Sequence, residues 1–267
     1  MKQYKIGEYA KYMGVTPDLL KHYEELGVIT AVRSESGYRY YPFSTSVTLL
    51  ECIRLRNYGM TLREIKSIIT DHSVKTQDVF GQLDKNVEAL RQKCRFNEAL
   101  IRDYEEFLEW REPLNTRDSD WCIRWSHPMY FLPHTSGTDF LDDPRIYEIL
   151  QSWMSHIPIV KSALRVQPSG TVTWGFVIEQ AKQKALGLPI NDVVVGIPSR
   201  KVFYYQFRKL LENFQGDKPA ADDVPAFDVL HSLGLCGTDE YYRVTVMPAD
   251  WQESLICQYG YYAIALA

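Results

Sequence analysis

The chain has 267 residues, of which 45% are hydrophobic and 24% charged, and its formal net charge is −4. These proportions are typical of a globular protein, and no apolar run approaches the roughly 18 residues that a membrane helix needs. The five cysteines are odd in number and widely spaced, without a C-x-x-C motif, which indicates free thiols. No secretory signal follows the N-terminal methionine, so we expect a cytoplasmic protein.

Charge is unevenly distributed along the sequence. Residues 1–66 carry a net positive charge, whereas residues 67–116 and 117–267 are each net negative. A basic N-terminal segment followed by acidic segments suits a protein that binds phosphate groups with its N-terminal part only. So modest an excess of positive charge can also arise by chance. All six tryptophans lie from position 110 onward, so the two ends also differ in aromatic content.

The first elements form a helical pair. A short helix is predicted over 6–12, and Gly14 breaks it. Thr16 is then a predicted N-cap, with Pro17 at the first position of a helix that runs to residue 26, where Gly27 ends it. Two helices joined by a short turn are the helix-turn-helix arrangement, although an ordinary helical hairpin has the same pattern.

The segment that follows favours DNA binding. A strand is predicted to open at residue 28, and residues 33–41 predict a β-hairpin with Gly37 in its turn. Its tip and return strand carry Arg33, Tyr38, Arg39 and Tyr40, which can lie along a phosphate backbone. A helix followed by such a basic hairpin can grip a duplex at two grooves.

Two more helices complete this head. Residues 43–57 predict a helix that turns Val47, Leu50, Ile53 and Leu55 toward the core. Thr61, with a glutamate three residues later, predicts a capping box at the start of the next helix.

A long helix with a heptad pattern comes next. Its apolar positions alternate spacings of three and four, which predicts a coiled coil and therefore a dimer. Asn97 is the one polar position and is expected to fix register; a long surface helix packed on its own chain is the alternative. The predicted dimer residues are Phe80, Leu83, Val87, Leu90, Cys94, Asn97, Ile101, Tyr104 and Leu108.

The remaining sequence alternates short strands and helices, which predicts an α+β domain. The order strand, helix, strands occurs twice, and two similar halves are therefore an expectation. The predicted organisation is a winged helix-turn-helix over 1–75, an antiparallel coiled-coil helix over 76–112, a linker over 113–120 and the α+β domain over 121–267. The fold class is thus multidomain, α followed by α+β.

With these elements in place, the N-terminal part resembles the MerR family of bacterial transcription regulators, over about residues 1–112. The matching motifs are Tyr4-Lys5-Ile6-Gly7-Glu8-Tyr9-Ala10, Val15-Thr16-Pro17, Tyr23-Glu24-Glu25-Leu26-Gly27, Gly37-Tyr38-Arg39-Tyr40-Tyr41 and the stretch 55–65. Asp18 and Lys21 stand where the family mostly has arginine, and His22 where it mostly has tyrosine. Asp18 can stabilise the helix N-terminus or accept a hydrogen bond from a cytosine amino group.

The resemblance implies a dimer that binds a pseudopalindromic promoter operator. Effector binding then activates transcription, because the protein distorts the DNA so that RNA polymerase can engage the promoter. Such distortion costs a few kcal/mol, roughly, which ligand binding must offset. The residues assigned to double-stranded DNA are Tyr4, Thr16, Asp18, Lys21, His22, Tyr23, Arg33, Tyr38, Arg39, Tyr40 and Thr61.

The C-terminal part resembles the GyrI-like effector domain of multidrug-sensing members, which implies a small-molecule effector. Aromatic walls with a carboxylate suit an aromatic or cationic ligand, although plain core aromatics and solvated acids would give the same pattern. The candidates are Tyr130, Tyr147, Trp174, Phe176, Glu179, Tyr204, Glu240, Glu253 and Tyr262.

Other functions are weaker expectations. Metal sensing needs clustered thiolates, whereas Cys94 and Cys122 stand apart, so no metal or other cofactor is expected. A hydrolase using Glu179 or Glu253 as base is an alternative, although no catalytic motif is present. A DNA-binding protein without a ligand is a further alternative, against which the long C-terminal domain argues.

Overall fold

A computed structural model describes residues 2–71, 74–137, 139–212, 225–252 and 255–266. The chain divides into two compact units, Met1–Cys94 and Arg95–Ala267. The boundary lies within one long helix, so the helix predicted as a separate segment contributes residues to both units. Among the described residues, no helix combines the length and the apolar character that a membrane span requires.

The first unit contains a small antiparallel sheet, in the order β1-β3-β2, and helices packed around one core. Its elements are β1 Gln3–Lys5, α1 Ile6–Met13, α2 Pro17–Glu25, β2 Val32–Arg33, β3 Arg39–Pro42, α3 Thr45–Asn57, α4 Leu62–Thr70 and the first half of α5 Thr76–Arg111. The predicted hairpin is therefore confirmed, although its first strand begins at Val32 rather than at Val28. Leu20, Tyr41 and Leu49 are fully buried in the core.

The predicted helix caps of this unit are confirmed. The Thr16 hydroxyl accepts a hydrogen bond from the backbone N–H of Leu19 at 3.2 Å, and Pro17 occupies the first turn of α2. At α4, Thr61 Oγ1 accepts from the Glu64 N–H at 3.3 Å while the Glu64 carboxylate accepts from the Thr61 N–H at 2.7 Å. Each bond satisfies a backbone donor that has no partner within the helix.

The buried face of α3 differs from the prediction. Val47 and Leu50 are 63% and 51% exposed, whereas Leu49 and Cys52 are fully buried. Ile53 and Leu55 are only partly buried against the core. Both sets of apolar residues have helical spacing, and tertiary packing selects the set that faces Leu20 and its neighbours.

Helix α5 presents most of its predicted seam to solvent. The helix runs unbroken for 36 residues, and a 3-10 turn over Glu112–Asn115 follows it, because Pro113 cannot continue an α-helix. Leu83 packs against the core of the first unit, and Val87 is partly buried. The exposed members of the seam are Phe80, Leu90, Cys94, Asn97, Ile101, Tyr104 and Leu108.

The second unit is an α+β fold built on one eight-stranded sheet. Its strands are β4 Ser119–Trp125, β5 Met129–Pro133, β8 Lys161–Val166, β9 Val172–Glu179, β10 Val195–Ile197, β11 Lys201–Glu212, β12 Gly237–Gln252 and β13 Leu255–Leu266, and β6 Thr135–Ser136 and β7 Asp139–Phe140 form a separate ribbon. Its further helices are α6 Pro144–Met154, α7 Gln180–Leu186 and α8 Pro225–Ser232.

The strand order shows that this unit consists of two similar halves. The sheet order is β10-β5-β9-β8-β12-β13-β11-β4. The run β5-α6-β8-β9 has the same succession of elements as β11-α8-β12-β13, and the two runs meet where β8 pairs antiparallel with β12. Counted inward from either end, the sheet order is therefore the same: one added strand, then the first, third and second strands of a half.

The sheet is strongly curled. Strand β4 is the last strand of the sheet order and β5 is the second from the other end, although only residues 126–128 separate them along the chain. In the same way β10 is the first strand and β11 the second from the other end, with only residues 198–200 between them. The short connections 126–128 and 198–200 therefore bring the two ends of the sheet close together, and the Ser126 N–H, which donates to the carbonyl of Arg200 at 2.8 Å, extends the β4–β11 ladder into both connections. Helices α6 and α8 cover one face of the sheet, which leaves the inside of the curl as a second face.

Candidate functional site

The exposed side of α2 carries most of the predicted DNA-contact residues of that helix. Asp18, Lys21 and His22 are exposed, and the Lys21 ammonium lies 2.9 Å from the Asp18 carboxylate. Tyr23 was assigned to DNA as well, but its side chain is only 4% exposed and lies in the core, where burial raises its pKa. This corrects its assignment, because a buried ring cannot contact a duplex.

The hairpin is tied to α2 by one carboxylate. Glu24 Oε1 accepts from Arg33 at 2.8 Å, and its Oε2 accepts from Arg39 Nε at 2.6 Å and from the Tyr41 hydroxyl at 3.4 Å. Burial alone would raise the pKa of Glu24, but the hydrogen bonds from Arg39 and Arg33 outweigh it and hold that pKa below its usual value. The two arginines thus have a fixed position beside α2.

The other predicted DNA-contact residues lie near this pair of elements. Tyr38 is 65% exposed at the hairpin tip, and Tyr40 is half-buried in β3, opposite Lys5 of β1. Tyr4 packs edge-on against Tyr12, with centroids 5.5 Å apart. Thr16 and Thr61 are exposed at the N-termini of α2 and α4, where both also serve as caps.

The aromatic residues predicted to bind a ligand do not form one pocket. Trp174 and Phe176 belong to the core beneath α6, which Tyr130 also contacts, and Tyr262 belongs to the core beneath α8. Tyr147 is 46% exposed and donates to the carbonyl of Leu141 at 2.9 Å. Tyr147, Trp174 and Phe176 lie around His134, with centroid distances of 6.1, 5.3 and 5.8 Å. The expectation of one aromatic wall is corrected, because Tyr262 belongs to the other core.

Three other candidates have different surroundings. Tyr204 lies inside the curl, but its ring packs 4.5 Å from that of Tyr261 and its hydroxyl accepts from Trp110 Nε1 at 2.8 Å. Glu179 lies at the end of β9 and is partly buried. Glu253 lies outside the described residues. Glu240, by contrast, lines a cleft.

The cleft, here called the Glu240 cleft, lies at the closure of the sheet and is small, with a cavity volume of about 10 Å³, which is room for about one water molecule. It is open to solvent on one side. Its polar lining is Ser126, Arg200 and Glu240, and its apolar lining is Met129, Ile197, Val202, Tyr242, Ala263 and Ala265. These residues come from both halves of the unit, because the curl brings their strands together.

Glu240 is surrounded by donors. Its Oε1 accepts from Nε and NH2 of Arg165 at 3.1 and 2.8 Å and from the Tyr242 hydroxyl at 3.2 Å. Its Oε2 accepts from Arg200 at 3.1 Å. Burial raises the pKa of Glu240, but the hydrogen bonds from Arg165 and Arg200 outweigh this and lower it overall. The carboxylate is therefore charged near neutral pH and bonded through both oxygens.

Sequence reasoning missed the two arginines of this cluster. Arg165 falls inside a predicted strand between apolar neighbours, and Arg200 immediately precedes another strand. An arginine within a strand that packs on both faces requires an acidic partner, and this signal could have drawn attention to Arg165. The partner itself, 75 residues from Arg165 along the chain, could not be named from the sequence.

A second charged cluster joins the C-terminal half of α5 to strand β8 and helix α7. Asp103 is only 6% exposed, and its carboxylate lies 3.1 Å from Lys161 and 3.2 Å from Lys182. Glu106 completes the cluster with a 2.6 Å contact to Lys182. Burial lowers the pKa of Lys161 despite the nearby Asp103, whereas Glu106 and Asp103 raise that of Lys182 against the effect of its own burial.

Thiols do not assemble into a metal centre in the described part of the chain. Cys52, Cys94, Cys122 and Cys236 are free, with Cys52 buried and the other three exposed. Burial raises the pKa of Cys52 to about 11. Among the described residues, no group of three or more histidine, cysteine, aspartate or glutamate side chains could hold a metal ion.

Comparisons with known proteins identify the first unit. The family model for the MerR helix-turn-helix family of regulatory proteins matches residues 4–71. An uncharacterised helix-turn-helix transcriptional regulator of Pseudomonas aeruginosa is 35% identical over 39% of this chain and 82% of its own length. The regulator ZntR of Escherichia coli is 35% identical over 48% of this chain and 86% of its own length.

A longer relative is also similar. The multidrug-efflux transporter 2 regulator of Bacillus subtilis is 28% identical over 40% of this chain, and the match spans 42% of that protein. The family model leaves residues 72–267 of this chain unmatched. With two relatives at 35% identity matched over more than four fifths of their length, the chain belongs to the MerR family of helix-turn-helix transcription regulators.

Proposed function

We propose that this protein is a ligand-responsive transcription regulator that binds a pseudopalindromic promoter operator as a dimer. In this proposal, α2 and the β2–β3 hairpin form a winged helix-turn-helix that reads the DNA, and α5 forms an antiparallel coiled coil. The second unit is a GyrI-like effector domain, and effector binding distorts the operator so that RNA polymerase can start transcription.

The observation that carries the proposal is the contact of Glu24 with both hairpin arginines. It holds a basic hairpin beside the helix whose exposed side bears Lys21 and His22. Arginine has five N–H donors, so Arg33 and Arg39 each retain donors for phosphate oxygens after bonding Glu24. A recognition helix in the major groove with a wing on the adjacent backbone is therefore sterically and electrostatically suited to this unit.

Dimerisation is supported by the exposure of the α5 seam. Leu90, Ile101, Tyr104 and Leu108 are between 38% and 60% exposed, although they recur at heptad spacing along a single helix. Exposed apolar side chains with this spacing are typical of a helix that forms a coiled coil with a second helix. A twofold dimer would place two copies of α2 on one face, as a pseudopalindromic operator requires.

The effector role of the second unit is supported by its two-halved sheet and by the Glu240 cleft. Small-molecule sites are concave, with an apolar lining and a few convergent polar groups. The Glu240 cleft has such a lining, with three polar and six apolar residues, but its cavity volume of about 10 Å³ means that it would have to widen to admit a ligand. The B. subtilis relative is named as a regulator of a multidrug-efflux transporter, which agrees with an effector domain behind the DNA-binding unit.

The proposal is tested first by selecting duplexes from a random library with the full-length protein. We expect an enriched inverted repeat, protected as one block in footprinting. Changing Lys21→Ala and His22→Ala should alter the enriched bases, whereas Lys85→Ala, which removes an exposed cation of α5, should leave them unchanged. Enrichment of a single asymmetric site, or no enrichment, would contradict operator binding by a dimer.

Activation is tested with the selected operator placed between promoter elements that are set too far apart. We expect transcription in vitro to rise when protein and effector are both present, and to remain low with either alone. Equal transcription with and without effector would contradict ligand response while leaving DNA binding intact.

A further inference from the structure

Strand β4 forms one edge of the eight-stranded sheet, and within the described part of the chain only β11 pairs with it. The other edge strand, β10, has three residues, whereas β4 has seven. Natural sheets usually protect an edge with a short strand, a proline, a lysine or a bulge. Strand β4 contains neither proline nor lysine, and its register with β11 is continuous. The outer edge of β4 is therefore suited to pairing with another strand.

One face of β4 is apolar and exposed. Trp121, Ile123 and Trp125 alternate along the strand and are 43%, 41% and 67% exposed; they are here called the β4 stripe. The Trp121 ring lies 5.6 Å from that of Phe203, which belongs to the core beneath α8. The β4 stripe therefore continues that core to the edge of the sheet. Neighbouring exposed apolar side chains, two of them tryptophans, are typical of a protein interaction surface.

The backbone groups at the outer edge belong to the same residues. The Ser126 N–H donates to the Arg200 carbonyl, and the Asp118 carbonyl accepts from the Arg208 N–H. The even-numbered residues of β4 therefore direct their backbone groups at β11. In an antiparallel ladder the residues between them direct theirs to the opposite side. The N–H and C=O groups of the β4 stripe thus point to the outer edge.

The β4 stripe is complementary to itself. When two copies of β4 lie antiparallel about Ile123, each Ile123 faces its counterpart and each Trp121 faces Trp125 of the other copy. All three cross-strand pairs are then apolar, and such pairs stabilise a sheet. These are also the positions whose backbone groups point to the edge, so each pair can exchange two hydrogen bonds.

The charges on the strand are compatible with this pairing. In the same register Arg124 falls opposite Cys122, and Asp120 opposite Ser126, so like charges do not face one another. The Arg124 guanidinium lies on the other face of the strand, over the Tyr204 ring at 4.4 Å. We propose that β4 is an interface through which two copies of this protein pair edge to edge and join their sheets about a twofold axis. This pairing involves the second unit alone and does not depend on the α5 coiled coil.

Sedimentation velocity of the full-length protein over a range of concentrations tests the pairing. Interfaces below about 1,200 Å² are typically weak and transient, and a single strand pair is of this kind. We therefore expect the weight-average mass to rise toward twice its dilute value in the micromolar range. This rise is expected whether the dilute protein is the proposed α5 dimer or a monomer, so failure of the coiled coil leaves the test intact. A mass that stays constant with concentration would overturn the proposal.

Substitutions at the centre of the strand separate strand pairing from nonspecific apolar association. Ile123→Lys places like charges directly opposite each other and should abolish the rise in mass. Ile190→Lys makes the same change at a residue of the second unit that is 45% exposed, and should leave the rise unchanged. Equal association of these two variants would overturn the proposal. Thermal melts establish that each variant is folded.

A proline tests the backbone contribution. Ile123→Pro removes the N–H that points to the outer edge, at a place where a strand tolerates proline because that N–H has no role in its own ladder. We expect this variant to lose the rise in mass although an apolar side chain remains. Retained association would show that the copies meet through side chains alone and would overturn strand pairing.

A disulfide tests the register. Ile123→Cys places two thiols opposite each other at the Cα separation of about 5.5 Å that directly paired residues have, which a disulfide can span. In Trp125→Cys the two introduced thiols lie four residues apart along the pair, about 13 Å. At a concentration where the wild type associates, we expect a covalent pair on a non-reducing gel for Ile123→Cys and not for Trp125→Cys. Bridging of both variants, or of neither, would overturn the proposed register.

Discussion

The carboxylate of Asp103 on α5 lies 3.1 Å from the ammonium of Lys161 on β8, and the aspartate is almost completely buried. Lys161 also donates to the carbonyl of Pro158 at 3.1 Å, and Lys182 shares the same aspartate. The helix on which we propose the dimer seam is thereby joined through buried charge to the sheet that forms the Glu240 cleft. A displacement of β8 at Lys161 would therefore also displace the Asp103 carboxylate and with it α5.

Replacing this aspartate should be costly. Asp103→Asn leaves the buried Lys161 ammonium without its counterion, and breaking one partner of a buried pair costs about 3 kcal/mol. We expect the second unit to unfold at lower urea concentration, measured by tryptophan fluorescence, since all six tryptophans lie in that unit. Glu106→Gln is the control, because Glu106 is 60% exposed and such pairs contribute roughly 0–1 kcal/mol. Equal effects of the two changes would contradict a special role for burial.

The hairpin arginine should matter for all DNA sequences. Arg39→Ala removes a cation that the proposal places on the phosphate backbone, so affinity for unrelated duplexes should fall. The slope of log K against log salt should decrease by about 0.9 for each phosphate contact that is lost. Anisotropy titrations over a range of salt measure both quantities, with Lys85→Ala as the charge-matched control. An unchanged slope for Arg39→Ala would place the hairpin away from DNA.

A charge in the α5 seam should separate the protomers. Leu90 is 41% exposed, and Leu90→Asp would place a carboxylate in the proposed coiled-coil interface, where desolvation is unfavourable. We expect light scattering to give the monomer mass and operator binding to be lost. Gln92→Asp introduces the same charge at an exposed position outside the seam and should leave a dimer. An intact Leu90→Asp dimer would place the interface elsewhere.

One glycine of β9 should tolerate no side chain. A Cβ at Gly175 would overlap the carbonyl oxygen of Leu132 and approach Phe131 Cζ at 2.9 Å, so Gly175→Ala should destabilise the second unit by about 3 kcal/mol. At Gly196, on β10, the nearest atom to such a Cβ is 4.0 Å away, and Gly196→Ala should change stability by less than about 0.5 kcal/mol. Urea titrations followed by tryptophan fluorescence compare the two. Similar midpoints for both variants would rule out the steric explanation.

Acid should weaken the Glu240 cluster. The folded-state pKa of Glu240 is lowered below its usual 4.5, so its contribution to stability is present above about that pH and is lost as the pH falls through the folded value. Hydrogen bonds to a charged group contribute about 1.5–3 kcal/mol, and Glu240→Gln should lower stability by about that amount near pH 7. Urea midpoints of wild type and variant should then converge as the pH is lowered from 4.5 through the folded-state pKa. A constant difference across that range would contradict the ionic nature of the cluster.

Local signals in the sequence predicted much of the first unit correctly. The caps at Thr16 and Thr61 and the length of α5 depend on residues within four positions of one another, which a sequence displays directly. The buried face of α3 could not be predicted in the same way, because Val47 and Leu49 both belong to apolar sets with helical spacing. Only packing against the rest of the core decides between the two sets.

The Glu240 cleft was harder to predict because its residues come from distant strands. Alternation along β9 correctly placed Trp174 and Phe176 on one face, but nothing local indicates that α6 covers that face. Arg165 and Glu240 meet only because β8 pairs with β12 at the junction of the two halves. A pocket that depends on the curl of a sheet has no signature within any single segment.

The closure of the sheet has a consequence for the integrity of the second unit. Strand β4 precedes the first half but pairs with β11 of the second, while β10 precedes the second half but pairs with β5 of the first. Each half therefore covers the open edge of the other, and a lone half would expose unpaired backbone to aggregation. A protease that cuts between α7 and β10 would yield two fragments that remain paired through strands. Strand β4 of the N-terminal fragment would still pair with β11, and β10 of the C-terminal fragment would still pair with β5.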